Sequence, residues 1–317
     1  METMASIEIG SNSIRMLIAE QGASGTPLIP ILRKRVITRL GEDFNKNRSG
    51  TLKPGPMVRS IAALKEFLET AYRFGVASPI AVATGVVREA TNGDTFVALM
   101  ADKLKCEVRV ISGREEARLT EIGVLSSSMP RPQSVGILDL GGGSTEFILS
   151  KEGKTTYVSV PLGVVTSMET YLKSDPPKEQ EIRELSEHIQ DICDTRLAEL
   201  RELRGEECVL LGTGGTVVTL GAIIQGVPGN NFSEEALHGL SIGKSTAENL
   251  LEKLRAVPAV ERLSTVGLEP GREDIILPGT LMIVKFMDYF RKDEILVSYR
   301  DLLEGMLIQY TEGARDG

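Results

Sequence analysis

Residues 137–147 read ILDLGGGSTEF, an apolar run that ends on Asp139 and Leu140, then Gly141, Gly142 and Gly143, then Ser144, Thr145 and Glu146. A glycine fixed inside an element costs roughly 0.5–1 kcal/mol relative to alanine, so three in a row mark a place where something must come close to the backbone. Amides in such a turn can converge on an anion, and a phosphate is the first candidate. The flanking carboxylates, Asp139 and Glu146, would repel a bare phosphate. A divalent cation between them resolves the conflict, and hard oxygen ligands suit magnesium, with manganese as the alternative.

The same pattern stands near the start of the chain in IEIGSNSIRMLIAE, residues 7–20: apolar strand, Glu8, an apolar residue, then Gly10, Ser11, Asn12 and Ser13, then a second apolar strand. A third glycine turn, GTGGT at 212–216, joins an apolar strand to a helix and offers Gly214, Gly215 and Thr216. Any one of these alone reads as a tight turn. Three with hydroxyls beside them point to phosphate, and Glu8 joins Asp139 and Glu146 as a metal-ligand candidate. Glu146 taken alone reads equally well as a solvated residue on a strand edge, whereas Asp139, closing an apolar strand, is harder to dismiss.

The repeated pattern and the alternation of strands with helices predict an α/β protein of two related halves, their turns on opposite walls of one cleft. A helix is predicted over 57–74, with Ile61, Leu64, Leu68, Ala71 and Tyr72 at helical spacing and Gly75 at its stop. In ATGVVREATN a buried strand ends and Arg88 follows, where its planar fork could meet a phosphate. Arg39, in RKRVITR, is a weaker candidate of the same kind. Ser112 and Glu115 in SGREEARLTEIGVL have capping-box spacing, which starts a helix after Ser112 and gives Glu115 a structural task. Glu116, turned about 100° around that helix, is not explained by the cap. A second amphipathic helix is expected from Pro176 to Leu203, introduced by Ser174 and Asp175. SSSMPRPQS marks a connection, so domains are expected at 1–127 and 128–317, with the last helix, about 300–317, able to pack back on the first.

A length of 317 residues accommodates two domains with ordinary cores. Hydrophobic residues make up 41% and charged residues 25%, as in a globular protein. No apolar run approaches the ~18 residues of a membrane span, and the first residues lack the basic start and apolar core of a secretory signal. A cytoplasmic protein without membrane partners is expected. Cys106, Cys193 and Cys208 fit neither a disulfide framework nor a zinc site and read as buried small residues. His188 and His238, the only histidines, lie far apart in sequence, which argues against a histidine-rich metal site or a histidine-based triad and leaves the chemistry to carboxylates. A net charge of −8 argues against a nucleic-acid partner.

Taken in order, IGSNSIRMLIAE, ATGVVREATN, VISGREEARLTEIGV, LDLGGGSTEFIL, GTGGTVVTL and PGREDIILPG resemble the exopolyphosphatase and guanosine pentaphosphate phosphohydrolase family (Ppx/GppA) over nearly the whole chain. The glycine turns are shared with the wider actin, sugar-kinase and chaperone-ATPase superfamily; SGREEARL and GVVREA make the resemblance specific. It implies a duplicated two-domain actin-like (ribonuclease H-like) fold with an interdomain active-site cleft. It also implies magnesium-dependent removal of a terminal phosphate from linear polyphosphate or from pppGpp. Glu116 matches the family's general base, Asp139 and Glu146 its metal and site carboxylates, and Arg88 its phosphate-binding arginine. A homodimer is implied by the resemblance alone.

Three departures stand out. Glu8 replaces the usual aspartate of the first turn, and Thr166 in LGVVTSMETY stands where an arginine is usual. Ending at Gly317, the chain is expected to be a short form without the family's extra C-terminal helical domain, which bears on processivity. A kinase of the same superfamily is a competing reading, opposed by SGREEARL. A noncatalytic polyphosphate or alarmone sensor is another, opposed by the retained Glu116, Asp139 and Glu146.

Overall fold

The computed structural model describes residues 2–22, 28–44, 50–127, 134–205 and 207–313. The chain divides into two units: Met1–Ser128 with Arg300–Gly317, and Met129–Tyr299. The connection anticipated near residue 127 falls largely on residues 128–133, which lie outside the described residues.

The first unit runs β1 (Thr3–Ile9), β2 (Ser13–Glu20), β3 (Ile29–Ile37), α1 (Pro54–Arg73), β4 (Ile80–Ala83), α2 (Gly85–Glu89), α3 (Gly93–Leu104), β5 (Val108–Val110) and α4 (Gly113–Leu125). Its sheet has the order β3-β2-β1-β4-β5, antiparallel from β1 to β3 and parallel from β1 to β5. Almost every residue of β1 is buried, as expected of a central strand covered on both faces. Helix α1 opens on Pro54, whose missing N–H costs nothing at a first turn, and turns Ala63, Leu64, Phe67 and Ala71 inward.

The second unit continues with β6 (Ser134–Leu140), β7 (Thr145–Lys151), β8 (Lys154–Val160), α5 (Val164–Tyr171), α6 (Glu179–Arg196), β9 (Cys208–Thr213), α7 (Gly215–Gln225), α8 (Glu234–Leu237), β10 (Ser241–Gly243), α9 (Lys244–Arg255), α10 (Ala259–Arg262), α11 (Ile276–Phe290) and β11 (Glu294–Val297). Its sheet order is β10-β11-β9-β6-β7-β8. Read from the far edge, β8-β7-β6-β9-β11 repeats β3-β2-β1-β4-β5 in order and direction, with β10 added antiparallel on the rim. The fold is a duplicated α/β plan. Helix α11 is buried on nearly every face, and its Phe286 meets Phe147 of β7 edge-on at 4.9 Å.

Helix α6 starts later than its pattern suggests and stops at Arg196, followed by a 3-10 segment, Ala198–Arg204. Pro176 and Pro177 delay the start, because a residue before proline is pushed out of the helical region. Ser174 and Asp175 therefore do other work. Glu181 accepts the N–H groups of Ser174 (3.1 Å) and Lys178 (2.9 Å), and Asp175 accepts that of Ala259 at 2.9 Å, at the head of α10.

From Arg300 the chain rejoins the first unit as α12 (Leu302–Gly313). Asp301 and Glu304 form a reciprocal cap: Leu303 N–H donates to Asp301 Oδ1, and Asp301 N–H to Glu304 Oε2, both at 2.9 Å. Asp301 also pairs with Arg15, and Glu304 with Arg33. The helix lies against α4 at backbone contact. An ideal Cβ on Gly123 would fall 1.8 Å from the Asp301 carbonyl oxygen, and one on Gly305 1.8 Å from that of Leu119.

Burial alone would raise the carboxyl of Asp301, but Arg15, Arg33 and the Leu303 N–H outweigh it and hold it below its ordinary value. Its contribution to stability is therefore complete above the ordinary aspartate pKa of about 3.9. It is lost as pH falls below that and through the depressed native value, because the unfolded chain takes up the proton first. Thermal unfolding of Asp301→Asn is expected well below that of the unsubstituted protein at pH 7. The gap should close as the pH drops under about 4.

Cys106, Cys193 and Cys208 are free and buried, and burial pushes the Cys193 thiol up to about 12. Among the described residues no helix is long and apolar enough to cross a membrane.

Candidate active site

In the first unit the β1–β2 turn is closed by the Gly10 N–H donating to the Ser13 carbonyl at 3.0 Å. The segment after β3 folds over it: the N–H groups of Thr38 (3.0 Å) and Arg39 (2.8 Å) donate to Asn12 O, and Gly41 N–H to Ser11 O (2.8 Å). Arg39 is held there with a left-handed φ of 49°. On the other side Val86 N–H donates to Ser11 Oγ at 3.1 Å, and Gly85, with φ 41°, would place a Cβ 2.6 Å from that oxygen. Helix α2 thus starts against the turn.

Four residues into α2, Arg88 donates through Nη1 to Glu116 Oε2 at 2.8 Å and to the Ile111 carbonyl at 3.0 Å. Glu116 is buried in the first turn of α4. Ser112 caps that helix by accepting the Glu115 N–H at 3.2 Å, while the Glu115 carboxylate pairs with Arg109 at 2.7 Å. The Gly10–Ser13 turn, Arg88 and Glu116 are thereby linked within one unit, and Thr84, just before α2, donates through Oγ1 to Glu8 Oε1 at 3.3 Å.

The second unit repeats the turn, with Gly141 N–H donating to the Ser144 carbonyl at 3.0 Å. Gly163 lies against it so closely that a Cβ would fall 2.3 Å from the Gly142 carbonyl carbon. Ser144 Oγ donates to Glu146 Oε1 at 2.8 Å, while the Thr145 hydroxyl donates to the Leu162 carbonyl and ties the turn to the segment between β8 and α5. Thr166 donates to the Gly163 carbonyl at 3.0 Å, closing the first turn of α5.

At the third turn Gly214 has φ 90°, and a Cβ there would sit 2.8 Å from Asp139 Oδ1, so only glycine lets this backbone lie on the carboxylate. Gly215 opens α7, and Thr216 is buried behind it. Asp139, Gly141–Thr145, Glu146 and Gly214–Thr216 are brought together in the second unit.

The duplicated register exposes a difference between the halves. Glu8 stands directly opposite Arg15, and Asp139, at the matching place, directly opposite Glu146. Opposed residues in an antiparallel pair share a face, with Cβ atoms about 4.5–5.5 Å apart. In the first half the pair is self-neutralising: Glu8 Oε2 accepts from Arg15 Nε at 2.7 Å, and Asp301 takes the other arm of the guanidinium. In the second half two acids, 7% and 1% exposed, face each other. Such a pair offers oxygen ligands to a cation. Among the described residues no group of three or more His, Cys, Asp or Glu converges on one point. An oxygen-only pair fits magnesium, which keeps several waters and takes the rest of its shell from phosphate.

Arg15, Asp301 and Arg272 went unassigned in the sequence reading. Arg15 could have been found by superposing the two repeats, since it follows Glu8 at the distance at which Glu146 follows Asp139. Arg272 lies inside PGREDIILPG. It is 4% exposed, donates to Glu269 at 3.2 Å, and lies where a Cβ on Gly215 would come within 2.0 Å of its guanidinium.

Duplicated five-strand sheets with a carboxylate-flanked glycine turn in each define a protein of the actin-like ATPase-fold class. The chain belongs to the Ppx/GppA phosphatase family, whose description matches residues 17–312, and is a phosphoanhydride hydrolase. It is 29% identical over 96% of its length to exopolyphosphatase 2 of Mycobacterium tuberculosis, covering 97% of that protein. It is also 29% identical, over 97% of its length, to the bifunctional 3-dehydroquinate synthase/phosphatase of Fusobacterium nucleatum, of which it spans 46%. Among solved structures, the Ppx/GppA family member of Aquifex aeolicus matches at 30% identity with a TM-score of 0.78, over 98% of each chain.

Proposed function

We propose that this chain is a magnesium-dependent exopolyphosphatase that releases terminal orthophosphate from linear polyphosphate, with Glu116 as general base. The observation that carries the reading is the buried Asp139–Glu146 pair on β6 and β7, beside two glycine turns. The likeness to exopolyphosphatase 2 supports the choice of substrate. Phosphoryl transfer to water asks mainly for positioning and charge stabilisation, and each part has a candidate residue.

Asp139 and Glu146 would hold the cation, which when bound neutralises charge on the transferring phosphoryl group. Glu8, engaged by Arg15, adds at most its second oxygen, which faces Thr84 Oγ1 at 3.3 Å. The backbone of Gly10–Ser13, Gly141–Thr145 and Gly214–Thr216 would hold phosphate oxygens, helped at the third turn by the N-terminus of α7. Arg88 has two tasks: it fixes Glu116 and offers countercharge to the phosphate. Glu116 would orient the attacking water and take its proton, which requires hydrogen-bond reach. No covalent enzyme intermediate is needed.

The test is phosphate release by purified protein with magnesium, offered short polyphosphate, long polyphosphate, pppGpp and ATP side by side. Release from polyphosphate is expected. Release from pppGpp alone would move the substrate to the nucleotide, and binding without release from any of them would leave a sensor.

A further inference from the structure

Thr213, Asp139, Glu146 and Ser159 stand side by side in register on β9, β6, β7 and β8. The carboxylate of Glu146 is 1% exposed, and its Oε1 accepts from two hydroxyls, Ser144 Oγ and Ser159 Oγ, each at 2.8 Å. Ser144 belongs to the glycine turn. Ser159 lies on the edge strand, with its side chain the last member of the row. In the first half the corresponding row reads Glu8, Arg15, Arg35, so a small hydroxyl at this edge is peculiar to the half with two acids.

Two donors on one oxygen fix the plane of a carboxylate and leave its other oxygen with a set direction. Groups that orient a metal ligand in this way commonly set affinity by about 10–100-fold without touching the ion. We propose that Ser159 is a positioning residue for Glu146, and through it for the divalent cation; the inference rests on the reading of Asp139 and Glu146 as the metal carboxylates. It acts on cation affinity first and on turnover only through the ion. Ser159 is exposed and β8 is held to β7 by a full backbone ladder, so the hydroxyl is not needed to keep the strand in place.

Manganese binding to the full chain, followed by the electron paramagnetic resonance of the free ion, tests this without turnover. Asp139→Asn, Ser159→Ala and Ser159→Thr are compared with the unsubstituted protein. Ser159→Ala is expected to weaken binding about 10-fold, with an unchanged unfolding midpoint, and Ser159→Thr to restore it. Unweakened binding in Ser159→Ala, alongside loss in Asp139→Asn, overturns the role of Ser159 and leaves the metal site standing. A lowered midpoint that Ser159→Thr does not repair also overturns it. If the unsubstituted protein takes up no manganese, or Asp139→Asn binds as well as it does, the metal-site reading fails and takes this inference with it.

Discussion

Glu116→Gln is expected to lower kcat for phosphate release by about 10²–10⁴-fold, the usual contribution of a positioned general base. The amide keeps the size of the carboxylate and can still accept from Arg88 through its oxygen, so the fold of α4 should survive. What it loses is the ability to take a proton. The informative comparison is therefore kcat against manganese affinity and unfolding midpoint in one protein. A fall in kcat with the other two unchanged places Glu116 on the reacting water. A parallel fall in stability would instead make the Arg88–Glu116 pair, 2.8 Å apart and largely buried, a structural tie between α2 and α4.

Gly305→Ala is expected to have the largest effect on stability. The added methyl would have to occupy space 1.8 Å from the Leu119 carbonyl oxygen, and backbone cannot swing aside as a side chain can. Helices α4 and α12 would be forced apart, at a cost of roughly 3 kcal/mol, the upper end of overpacking penalties. Because α4 carries Glu116, activity should fall further than the loss of folded protein accounts for. Denaturant unfolding gives the first quantity and specific activity per folded molecule the second. Gly153→Ala, at a hairpin with no neighbour within 4 Å of the new methyl, tests φ strain alone at 77° and should cost far less.

Local signals carried much of this structure. The Ser112 cap, the glycine turns and the strand–helix alternation each depend on residues a few positions apart, and each was readable. The candidate residues of the second unit could be picked out together for the same reason, since Asp139, Gly141–Gly143 and Glu146 lie within a single hairpin. What could not be read are partnerships made by the fold. Arg15 and Asp301 are separated by 286 positions, and nothing in the alternation of β2 shows that its arginine lies between two carboxylates. Ser159 sits in a strand whose pattern is bland, and its contact with Glu146 comes only from the register of β8 on β7. The late start of α6 was a local error, in which apolar periodicity was given more weight than two consecutive prolines.

The first unit is discontinuous in sequence, and this bears on how the protein is made. Its strands β1–β5 and helix α4 leave the ribosome early, but Arg15 and Arg33 must wait for Asp301 and Glu304, and the apolar faces of Leu17 and Leu119 for α12. The second unit is contiguous and needs no later residue. Domains emerging first ordinarily fold first; here the unit that emerges first is the one whose last residues are made last. The half that carries Glu116 is synthesised first and completed last, so the Asp139–Glu146 hairpin of the nascent chain has all its strand neighbours long before Arg15 and Arg33 have the carboxylates at the start of α12.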